Sequence, residues 1–125
     1  MGWITALLEL VRARNAAIAF FGVLVGAALS GNFTLAPVIL AAFSAALILA
    51  GGNAINDFFD VEVDKTNRPE RPIPSGRTSK KSALAVSLIL FLLGLAMSSL
   101  TNAYCLIIAA ANTVVLILYG RFSKI

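Results

Sequence analysis

The sequence predicts an all-α polytopic membrane protein, a transmembrane bundle of about four helices. Hydrophobic residues make up 59% of its 125 residues, against about 45–50% in an average soluble domain. The mean hydropathy of the whole chain is +0.90, which favours a membrane protein over a soluble one with a large core. The apolar residues also fall into runs of near-spanning length, separated by short polar segments.

The first two predicted helices carry the most polar features. The first covers residues 11–29, with two arginines near its inner end. The apolar segment 3–11 before it is either an interfacial helix or the first turns of this span. After a turn at Ser30 the second helix covers residues 35–64. Its first part is apolar enough to cross a membrane, and its last turns are strongly polar.

The rest of the chain is organised by one long polar loop, residues 65–81, in which three prolines break helical structure. Ser79 is placed to cap the next helix, predicted over residues 82–100. A short turn at Thr101 separates it from the fourth helix, residues 104–118.

The distribution of basic residues predicts the orientation. Every Lys and Arg lies at the start of the first helix, in the long loop or after the fourth helix, and the two remaining turns carry none. The positive-inside rule then places the protein in the cell membrane, with both termini of this segment and the Asn53–Lys81 region on the cytoplasmic side. The formal charge of +4 therefore reflects topology, and no nucleic-acid partner is predicted.

A stripe of oxygen-bearing side chains is the main chemical feature. Its members lie at offsets of 0, 3, 4, 7 and 11 from the first, so they share one face of a helix. They are Asn53, Asn56, Asp57, Asp60 and Asp64. Glu62 falls on the opposite face. The chain has no His and a single Cys, so a His/Cys metal site is very improbable, and a divalent cation here would be magnesium or calcium.

Cationic residues directly follow this acidic stripe. Lys65, Arg68 and Arg71 can bind anionic oxygens, and a cation held by the stripe can bridge carboxylate to phosphate. Acidic and basic patches adjoining at a membrane surface suit a diphosphate head with a lipid tail. The tail would lie between the apolar helices.

Two adjoining motifs carry a family resemblance. Residues 56–64 match the pattern N-D-x-x-D-x-x-x-D, and residues 67–76 match N-R-P-x-R-P-[IL]-P-S-G. Together they resemble the UbiA-type intramembrane prenyltransferases. Asn53 and the Asp-Val-Glu-Val-Asp run are most similar to the archaeal digeranylgeranylglyceryl phosphate synthases of that family.

The resemblance implies Mg²⁺-dependent transfer of an isoprenoid chain from a prenyl diphosphate to a membrane lipid acceptor. For the archaeal branch the acceptor would be geranylgeranylglyceryl phosphate, in ether-lipid biosynthesis. The implied metal ligands are Asn56, Asp57, Asp60 and Asp64, of which Asn56, Asp60 and Asp64 are also the catalytic residues. The implied diphosphate contacts are Arg68, Arg71 and Lys124. Lys65, Asn53 and Asn15 are further candidates for this contact, and Asn15 also fits a polar residue that packs between helices. Arg12 and Arg14 are interpreted as topological charges.

The chain also departs from the family pattern. Members have about nine transmembrane helices and a second Asp-rich motif, whereas this sequence carries the first motif alone. We therefore expect residues 1–125 to be the N-terminal part of a UbiA-like prenyltransferase domain. By itself the chain is expected to be inactive, with the rest supplied by a longer protein or by a second chain.

Two alternatives stay open. One is an aromatic-acceptor prenyltransferase of the quinone or chlorophyll type. The other is a non-catalytic half-protein that binds lipid diphosphate and needs a second chain. A CDP-alcohol phosphotransferase would require a D-G-x-x-A-R element, which the sequence lacks.

Overall fold

The fold is all-helical, as predicted. A computed structural model describes residues 2–31 and 34–122, and within these ranges it contains six α-helices and no strand. The helices are α1 (Gly2–Val11), α2 (Ala13–Ser30), α3 (Leu35–Phe59), α4 (Val61–Asn67), α5 (Lys80–Thr101) and α6 (Ala103–Phe122). Four of them, α2, α3, α5 and α6, are long and apolar enough to cross a membrane.

The first predicted helix begins later than expected. Arg12 separates α1 from α2 because its backbone is left-handed, with φ 52° and ψ 65°, a conformation uncommon for a residue with a side chain. With 10 residues, α1 is about 15 Å long and cannot span a hydrocarbon core of about 30 Å. Its Leu10 packs instead with Ala54 of α3 and Ala83 of α5.

The second predicted helix is divided near its end. α3 stops at Phe59 and α4 starts at Val61, with Asp60 between them at φ −89° and ψ 2°. The break is shallow: the Asp60 amide still donates to the Asn56 carbonyl at 2.9 Å, and the Asp64 amide donates to the Asp60 carbonyl at 2.8 Å. The spacing of four residues therefore still keeps these side chains on one face.

α3 is the central helix and contacts α1, α2, α5 and α6. Glycines let its neighbours approach closely. A Cβ on Gly51 would lie 3.0 Å from the Phe91 ring of α5, and one on Gly52 would lie 2.9 Å from Leu116 of α6. From the opposite side, a Cβ on Gly94 of α5 would lie 2.5 Å from Ile48 Cγ1. A side chain at Gly94 would therefore require Ile48 or the helix that carries it to shift, and one at Gly51 or Gly52 would require the Phe91 or Leu116 side chain to move.

The loop between α4 and α5 is tied to α1. Arg77 donates to both carboxylate oxygens of Glu9, at 3.0 and 2.7 Å, and to the Glu70 carbonyl at 2.7 Å. The hydrogen bonds from Arg77 lower the pKa of Glu9. At the loop's end the Ser82 amide donates to Ser79 Oγ at 3.0 Å, which confirms the predicted helix cap. α1 and the loop are thus held at the same end of α3.

Candidate functional site

The predicted polar stripe lies where α3 continues into α4. Four of its five side chains belong to buried residues, with exposed fractions between 4% and 9%, and Asn56 is half-buried. Buried carboxylates need cationic partners, because leaving water costs them several kcal/mol each. Two kinds of partner are relevant: nearby arginines, and a metal ion.

Asn56 and Asp60 form one part of the stripe. Asn56 Nδ2 donates to Asp60 Oδ2 at 3.0 Å. Asn56 Oδ1 is buried and accepts no hydrogen bond from any residue in the described ranges. A buried amide oxygen without a donor is unusual in a folded protein and fits a ligand that the oxygen would contact.

One turn further on, Asp64 lies close to Arg71. Its Oδ2 is buried and accepts no hydrogen bond from the described part of the chain, and Arg71 Nη1 is 3.7 Å away. Burial raises the pKa of Asp64, although the charges of Arg71 and Arg68 act in the opposite direction. No hydrogen bond from the described residues therefore offsets the burial of this carboxylate oxygen.

Asp57 has a different environment. Its Oδ1 accepts hydrogen bonds from Arg12 Nη2 at 3.1 Å and from Arg71 Nη1 at 2.9 Å. The structure thus turns this predicted metal ligand toward two guanidinium groups. It also brings Arg12 into the site, which the sequence interpretation left among the topological charges. No spacing pattern links Arg12 to Asp57, because the contact depends on the left-handed backbone between α1 and α2.

Some predicted diphosphate contacts lie apart from the stripe. Lys65 pairs with Glu62 at 3.3 Å on an exposed face, and Asn15 is exposed near the start of α2. Asn53 Nδ2 donates to the Val11 carbonyl at 2.9 Å, so its amide fixes the end of α1. Arg68 is exposed and near enough to Asp64 to affect its pKa. Lys124 lies outside the described residues.

The oxygen atoms of the stripe have the chemistry of metal ligands. In the described residues no three acidic, His or Cys side chains converge closely enough to enclose an ion by themselves. Magnesium does not need such a cage: it is usually bound by one or two carboxylates, with waters and substrate phosphates completing its ligands. Asn56, Asp60 and Asp64 offer hard oxygen atoms of this kind, so these residues fit magnesium.

An apolar cavity of about 460 Å³ lies between α2, α3, α5 and α6. Its lining includes Ala45 and Ile48 of α3 and Ile108 and Leu116 of α6. Leu116 is also the residue that contacts α3 at Gly52, one residue before Asn53. The cavity therefore runs within the apolar layer and ends close to the polar stripe.

The chain was then compared with known proteins. Residues 17–125 match the UbiA prenyltransferase family. A digeranylgeranylglyceryl phosphate synthase of Methanopyrus kandleri is 51% identical over 115 residues, which are 92% of this chain and 42% of that protein. The synthase of the same name from Ignicoccus hospitalis is 50% identical over 127 residues, covering 98% of this chain and 40% of that protein.

A solved structure has the same arrangement of helices. This structure was reported as "Structural and mechanistic insights into the biosynthesis of Digeranylgeranylglyceryl phosphate synthase in membranes". It superposes with a TM-score of 0.94 at 39% identity, covering 99% of this chain and 45% of that one. The chain spans less than half the length of these relatives. Its helices and these matches agree: the chain is a multi-pass membrane protein and belongs to the UbiA prenyltransferase family.

Proposed function

We propose that the protein containing this segment is a magnesium-dependent prenyltransferase. It would transfer an isoprenoid chain from a prenyl diphosphate to a lipid acceptor, geranylgeranylglyceryl phosphate. The observation that carries this proposal is the row of buried oxygen atoms from Asn56, Asp60 and Asp64 beside Arg71, at the end of a transmembrane helix.

The residues present can divide the work of holding the substrate. Asn56, Asp60 and Asp64 would hold Mg²⁺, which when bound supplies Lewis acidity toward the departing diphosphate. Arg71, with Arg68 nearby, would bind diphosphate oxygens and stabilise the negative charge that develops on them. The apolar cavity between the helices would take part of the isoprenoid tail and exclude water from it. A dry tail site protects an allylic cation from hydrolysis.

The choice of acceptor rests on the similarity to the archaeal synthases, which are 51% and 50% identical to this chain. An aromatic acceptor is the second candidate. The segment holds one Asp-rich motif, and the family resemblance implies a second one elsewhere in the complete protein. We therefore propose that turnover needs more than these 125 residues, supplied either by the same reading frame or by a second chain.

The test is an acceptor comparison in the complete enzyme, which is either the full-length protein that contains this sequence or this chain together with its second chain. The purified protein is given geranylgeranyl diphosphate and Mg²⁺, with either geranylgeranylglyceryl phosphate or 4-hydroxybenzoate. We expect a digeranylgeranyl product with the lipid, none with the aromatic acid, and no turnover after chelation with EDTA. Prenylation of the aromatic acid alone would assign the second candidate, and no product with either acceptor would contradict a transferase.

The orientation of the site is a separate proposal. The positive-inside rule places the loop before α5 in the cytoplasm. Ser75 is exposed in this loop, and Ser30 is exposed at the far end of α2. The test variants are Ser75→Cys and, as a control, Ser30→Cys, each made in a Cys105→Ala background. We expect a membrane-impermeant maleimide added to intact cells to label Ser30→Cys and to leave Ser75→Cys unlabelled until the cells are opened. The reverse pattern would contradict the orientation.

A further inference from the structure

Asp57 is the residue whose surroundings differ most from those of its neighbours in the motif. We propose that Asp57 is a positioning residue, which fixes Arg12 and Arg71 beside the diphosphate site and does not bind the cation. This inference rests on the proposed function, because it assigns a role within the same site.

The hydrogen bonds of Asp57 supply the first argument. One oxygen, Oδ1, receives both guanidinium groups, at 3.1 Å from Arg12 and 2.9 Å from Arg71. The Asp57 side chain is 5% exposed, whereas those of Arg12 and Arg71 are 34% and 22% exposed. A guanidinium carries five N–H donors, and each arginine contacts Asp57 through one terminal nitrogen. Asp57 therefore anchors the two arginines from the buried side and leaves other donors for a ligand.

The position of Arg71 supplies the second argument. Its Nη1 lies between two carboxylates, 2.9 Å from Asp57 and 3.7 Å from Asp64. Asp57 holds it at hydrogen-bonding distance, while Asp64 Oδ2 lies beyond that distance. An ion at Asp57 Oδ1 would have to displace two guanidinium groups from hydrogen-bonding distance. An ion at Asn56, Asp60 and Asp64 would have one guanidinium beside it, that of Arg71, 3.7 Å from Asp64 Oδ2. Like charges so close repel strongly in a site with little water.

The backbone near Arg12 supplies the third argument. Arg12 is the only non-glycine residue with a positive φ in the described ranges. Such a conformation persists when surrounding contacts enforce it. Here Asn53 Nδ2 holds the preceding Val11 carbonyl at 2.9 Å, and Asp57 holds the guanidinium. Two residues of the same α3 face thus act together, and Asn53 supports the position of Arg12.

A simpler role for Asp57 would be to attach α1 and the loop to α3. Kinetics separate the two roles, because a purely structural ion pair changes stability without a selective effect on diphosphate binding. The isosteric variant Asp57→Asn removes the charge and keeps an acceptor. Asp64→Asn makes the same change at one of the proposed metal ligands and is the matched control. Asp57→Glu restores the charge at position 57.

The experiment uses the full-length protein that contains this sequence, purified in detergent. Binding of Mn²⁺, a paramagnetic substitute for Mg²⁺, is followed by electron paramagnetic resonance without substrate. We expect Asp57→Asn to bind Mn²⁺ within about two-fold of wild type and Asp64→Asn to bind it about 10-fold or more weakly. Tenfold weaker Mn²⁺ binding by Asp57→Asn would overturn the proposal.

Diphosphate binding is measured next, by titration with inorganic pyrophosphate and by the KM for prenyl diphosphate at saturating Mg²⁺. Asp57→Asn should lower the affinity for pyrophosphate and raise the KM for prenyl diphosphate, each by about 10-fold or more. Asp57→Glu should recover part of this loss. A lower unfolding temperature with unchanged pyrophosphate affinity would show a structural role alone and overturn the proposal. The two proposals can also fail separately. If the wild-type protein makes no product but Asp57→Asn still lowers the affinity for pyrophosphate, the proposed function fails and the positioning role stands.

Discussion

Replacing Asp64 by alanine in the full-length protein is expected to lower Mg²⁺-dependent prenyl transfer by roughly 100-fold or more, the cost of losing one group that stabilises developing charge. Asp64 is 5% exposed, and its Oδ2 lies in the buried row of oxygen atoms that fits magnesium. Its removal would take a charged ligand from the ion and free Arg71 from one of its two neighbouring carboxylates. The measurement is the rate of product formation over a range of Mg²⁺ concentrations.

Glu62 offers a control on the same short helix. It lies in α4 two residues before Asp64, is exposed and pairs with Lys65. Exposed pairs of this kind contribute about 0–1 kcal/mol to stability. Glu62→Gln should therefore retain wild-type activity and Mg²⁺ dependence. Equal losses in both variants, or a wild-type rate in Asp64→Ala, would contradict the assignment of the site.

Replacing Gly94 by alanine is expected to destabilise the bundle by about 1–3 kcal/mol, the usual cost of overpacking. The new Cβ would lie 2.5 Å from Ile48 Cγ1 and 3.2 Å from the Ser44 carbonyl oxygen. The same substitution would disturb the buried bond from Ser44 Oγ to the Gly94 carbonyl, 2.8 Å long. Thermal unfolding of the detergent-purified full-length protein, followed by a thiol-reactive dye, would measure the change.

The matched substitution is Gly22→Ala in α2, where an added Cβ meets nothing within 4 Å. It makes the same chemical change in another transmembrane helix, and alanine is the better helix former by about 1 kcal/mol. We expect its unfolding temperature to equal or exceed that of wild type. Similar losses in the two variants would mean that close contact between α3 and α5 is not what Gly94 provides.

The sequence predicts the fold and the helical face that carries the polar stripe, because both depend on regular spacing. Apolar runs of spanning length predict the four transmembrane helices, and the intervals of four residues from Asn56 to Asp60 and Asp64 predict one helical face. The interruption at Asp60 is not predictable from spacing. It does little harm to the prediction, since the backbone hydrogen bonds continue across it.

The different contacts made by neighbouring residues of the motif could not be predicted. Asn56 and Asp57 are adjacent in the sequence, so they point about 100° apart around the helix and form opposite edges of the stripe. Asn56 contacts Asp60 within the row of oxygen atoms. Asp57 contacts Arg12 and Arg71, which lie in segments 45 and 14 residues away in the sequence. Spacing along a single helix carries no information about those segments, and the left-handed backbone at Arg12 has no local sequence signal.

That backbone conformation also limits which amino acids position 12 can accept. Glycine would adopt the same φ at no steric cost but would remove the guanidinium that Asp57 binds. Asparagine tolerates the left-handed region but carries no charge, and lysine keeps the charge without the planar fork. Position 12 must therefore satisfy a main-chain shape and an ionic contact together, although it lies outside both signature motifs.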